Sequence, residues 1–124
     1  MGKEIKSLTD YAFEILKEVG QGNYTKWSIV YDVKNRKIFF RTNRFSNVKN
    51  VSFSAFDFSC KSKSKSWDMN QDGKNEVSTA FKNYEAENNR KLVETAFRES
   101  SSTLSVDPKT IEKVWQYPAT IQCQ

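Results

Sequence analysis

The residues best placed to do chemistry lie in one acidic run, Asp68-Met69-Asn70-Gln71-Asp72-Gly73. Oxygen-bearing side chains at positions 1, 3 and 5, followed by glycine at position 6, match the opening of an EF-hand calcium loop. Position 12 is Thr79 rather than the bidentate glutamate that the loop requires, and no helical pattern precedes the run. We therefore prefer a turn that caps a following helix. The calcium candidates are Asp68, Asn70, Asp72 and, at position 9, Glu76.

Two other side chains could act on a ligand. Arg41, one of three arginines around a predicted hairpin, could clamp a carboxylate. A solvated or ion-paired role is more common for Arg36, Arg41 and Arg44, and we prefer it. Cys60 could be a nucleophile, but the chain contains no histidine to activate it. The lack of histidine also excludes His-based zinc sites and Ser-His-Asp triads, so we assign no catalytic residue and no cofactor.

The chain contains just two cysteines, Cys60 and Cys123. An oxidising compartment would favour a disulfide between them, and sequence alone does not decide the pairing. We slightly favour two separate structural thiols.

The stretch from Trp27 to Thr42, WSIVYDVKNRKIFFRT, predicts the β-hairpin that organises the fold. Its two-residue alternation of β-branched and aromatic side chains is typical of strands with a buried face. Asn35 lies in the turn, where a short loop needs a residue that tolerates positive φ. The side chains assigned structural roles in this hairpin are Trp27, Tyr31 and Phe40.

The remaining pattern predicts helices around an antiparallel meander. Residues 8–19 form an amphipathic helix whose apolar stripe is Leu8, Tyr11, Ala12, Ile15, Leu16 and Val19. Residues 48–54 predict a third strand, 61–73 a loop, and 76–100 a second helix. Asp107-Pro108 begins a last helix that ends at Tyr117-Pro118. The prediction is α+β, one domain over residues 1–124, with 1–6 a linker or a cloning-derived start.

Charge and hydropathy argue against two classes of partner. The net charge of +5 is scattered, apart from the run Lys61-Ser62-Lys63-Ser64-Lys65-Ser66, which is typical of a solvated loop. Nucleic-acid binders concentrate charge on one face, so we expect no nucleic-acid partner. No apolar run of about 18 residues is present, and we expect no membrane partner.

The wording of the hairpin and its neighbours resembles a known family. A helix ending in EVGQGNYT, then WSIVYDVKNRKIFFRT, then VKNVSFSAFDFSC is similar to the C-terminal part of choloylglycine hydrolases. These linear-amide C–N hydrolases include bile salt hydrolases and penicillin V acylases. The similarity is strongest over residues 10–60 and continues more weakly through NRKLVETAF.

This resemblance implies a part of an N-terminal-nucleophile αββα sandwich, in which a processed N-terminal cysteine attacks the amide. None of the family's catalytic residues maps onto this chain, and Arg41 matches a structural strand position. The chain would then be the C-terminal structural part of a bacterial amidase, inactive alone because the half with the nucleophilic cysteine is absent. Its partner would be that half or a second copy, in cytoplasm or periplasm. The alternative is a small non-catalytic binding or protein-interaction domain.

Overall fold

The structure is a computed structural model and describes residues 7–121. They form three α-helices, a four-stranded mixed sheet that is mostly antiparallel, and a two-stranded sheet, so the predicted α+β class is confirmed. Contacts group into two units. The sheet unit contains the described residues up to Phe58 together with Trp67–Phe81. The helical unit contains Ser59–Ser66 and the described residues from Lys82 onward.

Helix α1 of the sheet unit spans Leu8–Glu18, within one residue of the predicted range. The Ser7 hydroxyl accepts a hydrogen bond from the Asp10 N–H at 3.1 Å, and the Asp10 carboxylate accepts one from the Ser7 N–H at 3.3 Å. This reciprocal capping box fixes the first turn. At Gly20 the chain turns away so tightly that a β-carbon would lie 3.1 Å from the Leu16 carbonyl oxygen.

The buried face of α1 differs from the predicted one. Four of the six residues in the predicted stripe are exposed, with Leu8 at 88%. Phe13, outside that stripe, is 4% exposed. Since successive helical residues lie about 100° apart, α1 is rotated by roughly a quarter-turn from the expected orientation. The ring of Phe13 packs beneath the guanidinium of Arg41, which explains this orientation.

Strands β1 (Trp27–Asp32) and β2 (Lys37–Thr42) form the predicted antiparallel hairpin, with Ile29 opposite Phe40. Because side chains alternate along a strand, Ile29 and Phe40 point to one side of the sheet and Arg41 to the other. The hairpin therefore has a core side and a side that meets α1.

The turn of the hairpin differs from the prediction in one residue. Arg36, not Asn35, has positive φ, at 52°. Asn35 instead donates its backbone N–H and its side-chain amide to the Asp32 carboxylate, at 3.0 and 2.7 Å. These hydrogen bonds, the side-chain one first, lower the pKa of Asp32 from its ordinary value.

Strand β3, Lys49–Ser52, pairs antiparallel with β2 and completes the predicted meander. Three two-residue strands follow: β4 at Lys65–Ser66, β5 at Asn75–Glu76 and β6 at Lys82–Asn83. β5 pairs in parallel with β3, so the order of the main sheet is β1-β2-β3-β5. β4 and β6 pair with each other in the helical unit. The region predicted as loop, 61–73, therefore contains a short strand.

The core of the sheet unit centres on Phe40, Val51 and Val77, which are all buried. Half-buried residues packed around them are Ile29, Ile38, Phe56, Trp67, Met69 and Phe81. The ring of Phe40 meets Trp67 edge-on with centroids 6.0 Å apart, a favourable arrangement for aromatic pairs. This core lies on the Phe40 side of the hairpin.

Of the three aromatic residues predicted to be structural, Phe40 alone is buried, at 7% exposure. Trp27 and Tyr31 are 58% and 64% exposed, and Val33 on the same predicted face is 82% exposed. The physical reason is position, because β1 is an edge strand of the main sheet. The apolar alternation of β1 predicts a buried face, but the neighbouring elements cover that face only partly.

The helix predicted over residues 76–100 begins ten residues late. Helix α2 spans Ala86–Glu99. The Val77 N–H donates to the Asn50 carbonyl at 2.9 Å, which continues the parallel pairing, and Ser78–Ala80 forms a 3₁₀ turn. Val77 and Phe81 are therefore part of the sheet core rather than a helical stripe.

The helical unit pairs α2 with α3, which spans Pro108–Thr120. Asn89 donates its side-chain amide to the Trp115 carbonyl at 2.8 Å, and the Arg90 guanidinium lies 5.5 Å from the centre of the Trp115 ring. Arg90 also pairs with Glu94 at 2.8 Å, which raises the pKa of Arg90. Neither helix has a fully buried residue.

The start of α3 matches the prediction and its end does not. The Asp107 carboxylate accepts a hydrogen bond from the Thr110 N–H at 3.1 Å, and Pro108 is the first helical residue. The helix continues through Pro118 instead of ending there. Within α3, Ile111 and Trp115 are half-buried and Val114 is 43% exposed.

Candidate functional site

A cleft of about 230 Å³ lies between the C-terminal end of α1 and the open end of the β1–β2 hairpin. We call it the α1–hairpin cleft. Its lining includes Lys17 at the end of α1, Arg41 on β2 and Trp27 at the start of β1. The turn through Gly20 and Gly22 brings the end of the helix back to the hairpin, and Gly22 adopts φ 55°.

Arg41 is held in place from the α1 side. One guanidinium N–H donates to the Phe13 carbonyl at 3.3 Å, and the carbon at the centre of the guanidinium lies 5.0 Å from the Phe13 ring centre. A guanidinium carries five N–H donors, and the described residues accept from one of them. The sequence makes Arg41 a candidate carboxylate clamp, and the structure places its guanidinium in this cleft. Arg36 and Arg44 do not line that cleft.

The floor of the α1–hairpin cleft is formed by backbone turns whose polar groups are hydrogen-bonded. Thr42 is 3% exposed, and its hydroxyl accepts from the Phe45 N–H at 3.1 Å. The Asn43 N–H donates to the Lys26 carbonyl at 3.0 Å and closes the open end of the hairpin. The Thr25 hydroxyl accepts from the Gln21 N–H at 2.8 Å. Hydrogen bonds therefore hold the backbone turns that line the cleft.

Lys49 is an unusual feature that sequence reasoning missed. It is 0% exposed, and its ammonium has no hydrogen-bond partner in the described part of the chain. The ammonium nitrogen lies 5.7 Å from the ring centres of both Phe40 and Phe45. Cation–π attraction compensates only part of the cost of removing an ammonium from water. One signal was available in the sequence. Lys49 and Val51 are two positions apart on β3, so their side chains lie on the same face of the strand.

Two of the four calcium candidates, Asp68 and Asp72, accept hydrogen bonds within their own turn. Asp68 accepts from the Asn70 N–H and Asp72 from the Gly73 N–H, both at 2.8 Å, as expected for the preferred turn. Strand β5, not the expected helix, follows this turn. Across residues 7–121, no group of three His, Cys, Asp or Glu side chains is arranged to hold a metal.

Glu76 links two segments of the sheet unit. Its carboxylate accepts from the Ser52 hydroxyl at 3.0 Å and from the Ser78 N–H at 3.1 Å, and the Ser78 hydroxyl also donates to it. Partial burial opposes ionisation, but the hydrogen bonds from Ser78 and Ser52 outweigh it and lower the pKa of Glu76. Its role here is structural.

Cys60 is disulfide-bonded, which contradicts the slight preference for separate thiols. Cys123 lies outside the described residues. A sulfur held in a disulfide is not a nucleophilic thiolate.

No helix among the described residues is long and apolar enough to cross a membrane. No family model, curated protein or solved structure matches the chain.

Proposed function

We propose that this chain is a structural segment of a linear-amide C–N hydrolase, with no catalytic group of its own. The resemblance of the hairpin region to choloylglycine hydrolases supplies the family in this proposal. The observation that carries the structural role is the uncovered apolar face of α1.

That face is continuous along the helix. Residues three and four apart are neighbours on a helical surface, so Leu8, Tyr11, Ile15 and Val19 form one row. All four are exposed, with Ile15 at 47% and Val19 at 69%. Isolated exposed apolar side chains are common on monomers, but a row of them along one helix face is typical of a contact surface. In the proposal, the part of the hydrolase that bears the nucleophilic cysteine covers this row.

The chemistry of the chain fits a supporting role. The sequence lacks histidine, and the described cysteine, Cys60, is in a disulfide. Arg41, one of two cations that line the α1–hairpin cleft among the described residues, is anchored to the backbone of α1. These groups can position a helix and bind an anion, but none is an activated nucleophile.

The second candidate is a non-catalytic protein-interaction domain. The closed core around Phe40 favours it, because the sheet unit already buries a hydrophobic cluster of its own. Here the same row on α1 would contact a separate partner protein. The two candidates differ in whether covering the row produces amide hydrolysis.

The experiment is to produce the chain alone and together with the polypeptide encoded directly upstream, processed to an N-terminal cysteine. Both samples are assayed for hydrolysis of penicillin V and of a glycine-conjugated bile salt. We expect no hydrolysis from the chain alone and hydrolysis from the pair, reduced at least tenfold when Ile15→Glu disrupts the row. Hydrolysis by the chain alone contradicts the proposal, and a stable but inactive pair favours the interaction domain.

A further inference from the structure

We propose that the α1–hairpin cleft binds a small organic carboxylate, with Arg41 as the principal contact. This inference rests on the charge, donors and size of the cleft, and does not depend on the resemblance to amidases.

The charged side chains that line the cleft are positive among the described residues. Lys17 and Arg41 line it, and no aspartate or glutamate of residues 7–121 does. No carboxylate of the described residues forms a salt bridge with either cation. The C-terminal end of α1 opposes an anion, but a helix end carries only about half a negative charge. Two full positive charges therefore outweigh it.

Arg41 is prepared to bind a planar anion. The Phe13 ring and the Phe13 carbonyl hold the guanidinium on one side, so little side-chain freedom is lost when a ligand binds. The remaining N–H groups form the fork that matches the two oxygens of a carboxylate.

Neutral polar residues line the same cleft as Arg41. The side chains of Ser28, Asn43 and Ser46 line the cleft and make no hydrogen bond within the described part of the chain. Each can donate to an oxygen atom of a ligand.

The size of the cleft and one apolar wall define the rest of the ligand. A volume of about 230 Å³ is smaller than that of a typical drug site, so the ligand is about the size of one ring. Leu16 also lines the cleft and is half-buried, which leaves apolar area for the ligand to cover. Benzoate has this size, charge and planarity, and benzamide is its neutral isostere.

The test is a titration of the ¹⁵N-labelled chain with benzoate, benzamide and inorganic phosphate. The backbone amide signals of Trp27, Ser28 and Asn43 report binding. We expect these signals to move with a millimolar dissociation constant for benzoate and to move at least tenfold more weakly for benzamide. Equal binding of benzamide, or displacements elsewhere in the chain, would overturn the proposal. Tighter binding of phosphate than of benzoate would also overturn it, because the site would then recognise any oxyanion.

Matched variants separate the cleft from general charge effects. Arg41→Gln should weaken benzoate about tenfold and Lys17→Gln about two- to threefold, since the lysine is more solvated. Arg44→Gln removes the same charge outside the cleft and should change nothing. If Arg41→Gln fails to fold, Arg41→Lys keeps the charge but loses the fork, and should still weaken benzoate several-fold. Equal losses in Arg44→Gln and Arg41→Gln, or no loss in Arg41→Lys and Lys17→Gln, would contradict the assignment.

Discussion

The two units of this chain are stabilised in different ways. In the sheet unit, Phe40, Val51 and Val77 form a buried core against which the rings of Trp67 and Phe81 pack, and Phe13 is buried against Arg41. In the helical unit, neither α2 nor α3 has a fully buried residue. Its contacts include end caps, the hydrogen bond between Asn89 and Trp115, an exposed ion pair, a cation–π contact and the disulfide at Cys60.

This difference indicates which interactions supply the free energy of folding in each unit. Buried apolar area is the largest favourable contribution to folding, and exposed ion pairs contribute little. We therefore expect the sheet unit to depend on its core, and the helical unit to depend on its covalent link and its caps. Residue-resolved hydrogen exchange measures the two units separately in one sample.

The largest effect should come from the sheet core. Phe40→Ala removes the ring that Trp67 contacts and should cost about 3–5 kcal/mol of unfolding free energy in the sheet unit. Phe58→Ala is the matched control, because Phe58 is 71% exposed and should cost far less. Urea unfolding followed by hydrogen exchange checks both variants. Equal effects of the two changes would contradict a core centred on Phe40.

The next effect should come from the disulfide and should appear in the other unit. Cys60→Ser should reduce protection of the helical unit by about 2–4 kcal/mol, because the disulfide restricts the unfolded chain. Dithiothreitol should do the same to the unaltered chain and nothing to the variant. A loss of hydrogen-exchange protection confined to the sheet unit would contradict the expected dependence of the helical unit on the disulfide.

Lys49 should give an effect of opposite sign. Lys49→Met keeps the aliphatic volume and removes an ammonium that is buried without a hydrogen-bond partner among residues 7–121, so we expect about 1–3 kcal/mol of stabilisation. Thermal unfolding checks this prediction, with the exposed Lys34→Met as control. A destabilised Lys49→Met would mean that the contacts with Phe40 and Phe45 outweigh the desolvation of the ammonium.

The smallest effect should be a dependence on pH at Glu76. Its pKa is lower in the folded chain than its ordinary value of 4.5, so its contribution is present above that value and is lost as pH falls through the lower folded pKa. Acid should therefore weaken the link between Ser52 and Ser78. Glu76→Gln should flatten this part of the curve of stability against pH. An unchanged curve would contradict the role of Glu76.

Local signals predicted much of the fold. Asp107 with Pro108 predicted the start of α3, because caps depend on residues within one turn. The alternation around Ile29 and Phe40 predicted the hairpin. The parallel pairing of β5 with β3 was not predictable, since two residues per strand leave no periodic pattern. That pairing places Val77 in the sheet core and delays α2.

The candidate site was predictable only in part. Arg41 was considered as a carboxylate clamp from its residue type and strand position, but its anchor on Phe13 depends on a contact across 28 positions. The same contact determines which face of α1 is buried, which the apolar stripe alone predicted wrongly. Lys49 lies on the same face of β3 as the core residue Val51, but its charge predicts an exposed side chain.

We propose that the apolar row of α1 is a contact surface that a partner covers. Sedimentation velocity over a range of chain concentrations, with binding of a hydrophobic dye, tests it most directly. We expect concentration-dependent association and dye binding from the chain alone, both abolished by Ile15→Glu with Val19→Glu, two exposed positions that leave the core intact. A monomer at every concentration that binds no dye, and that is unchanged by the double substitution, would contradict the claim.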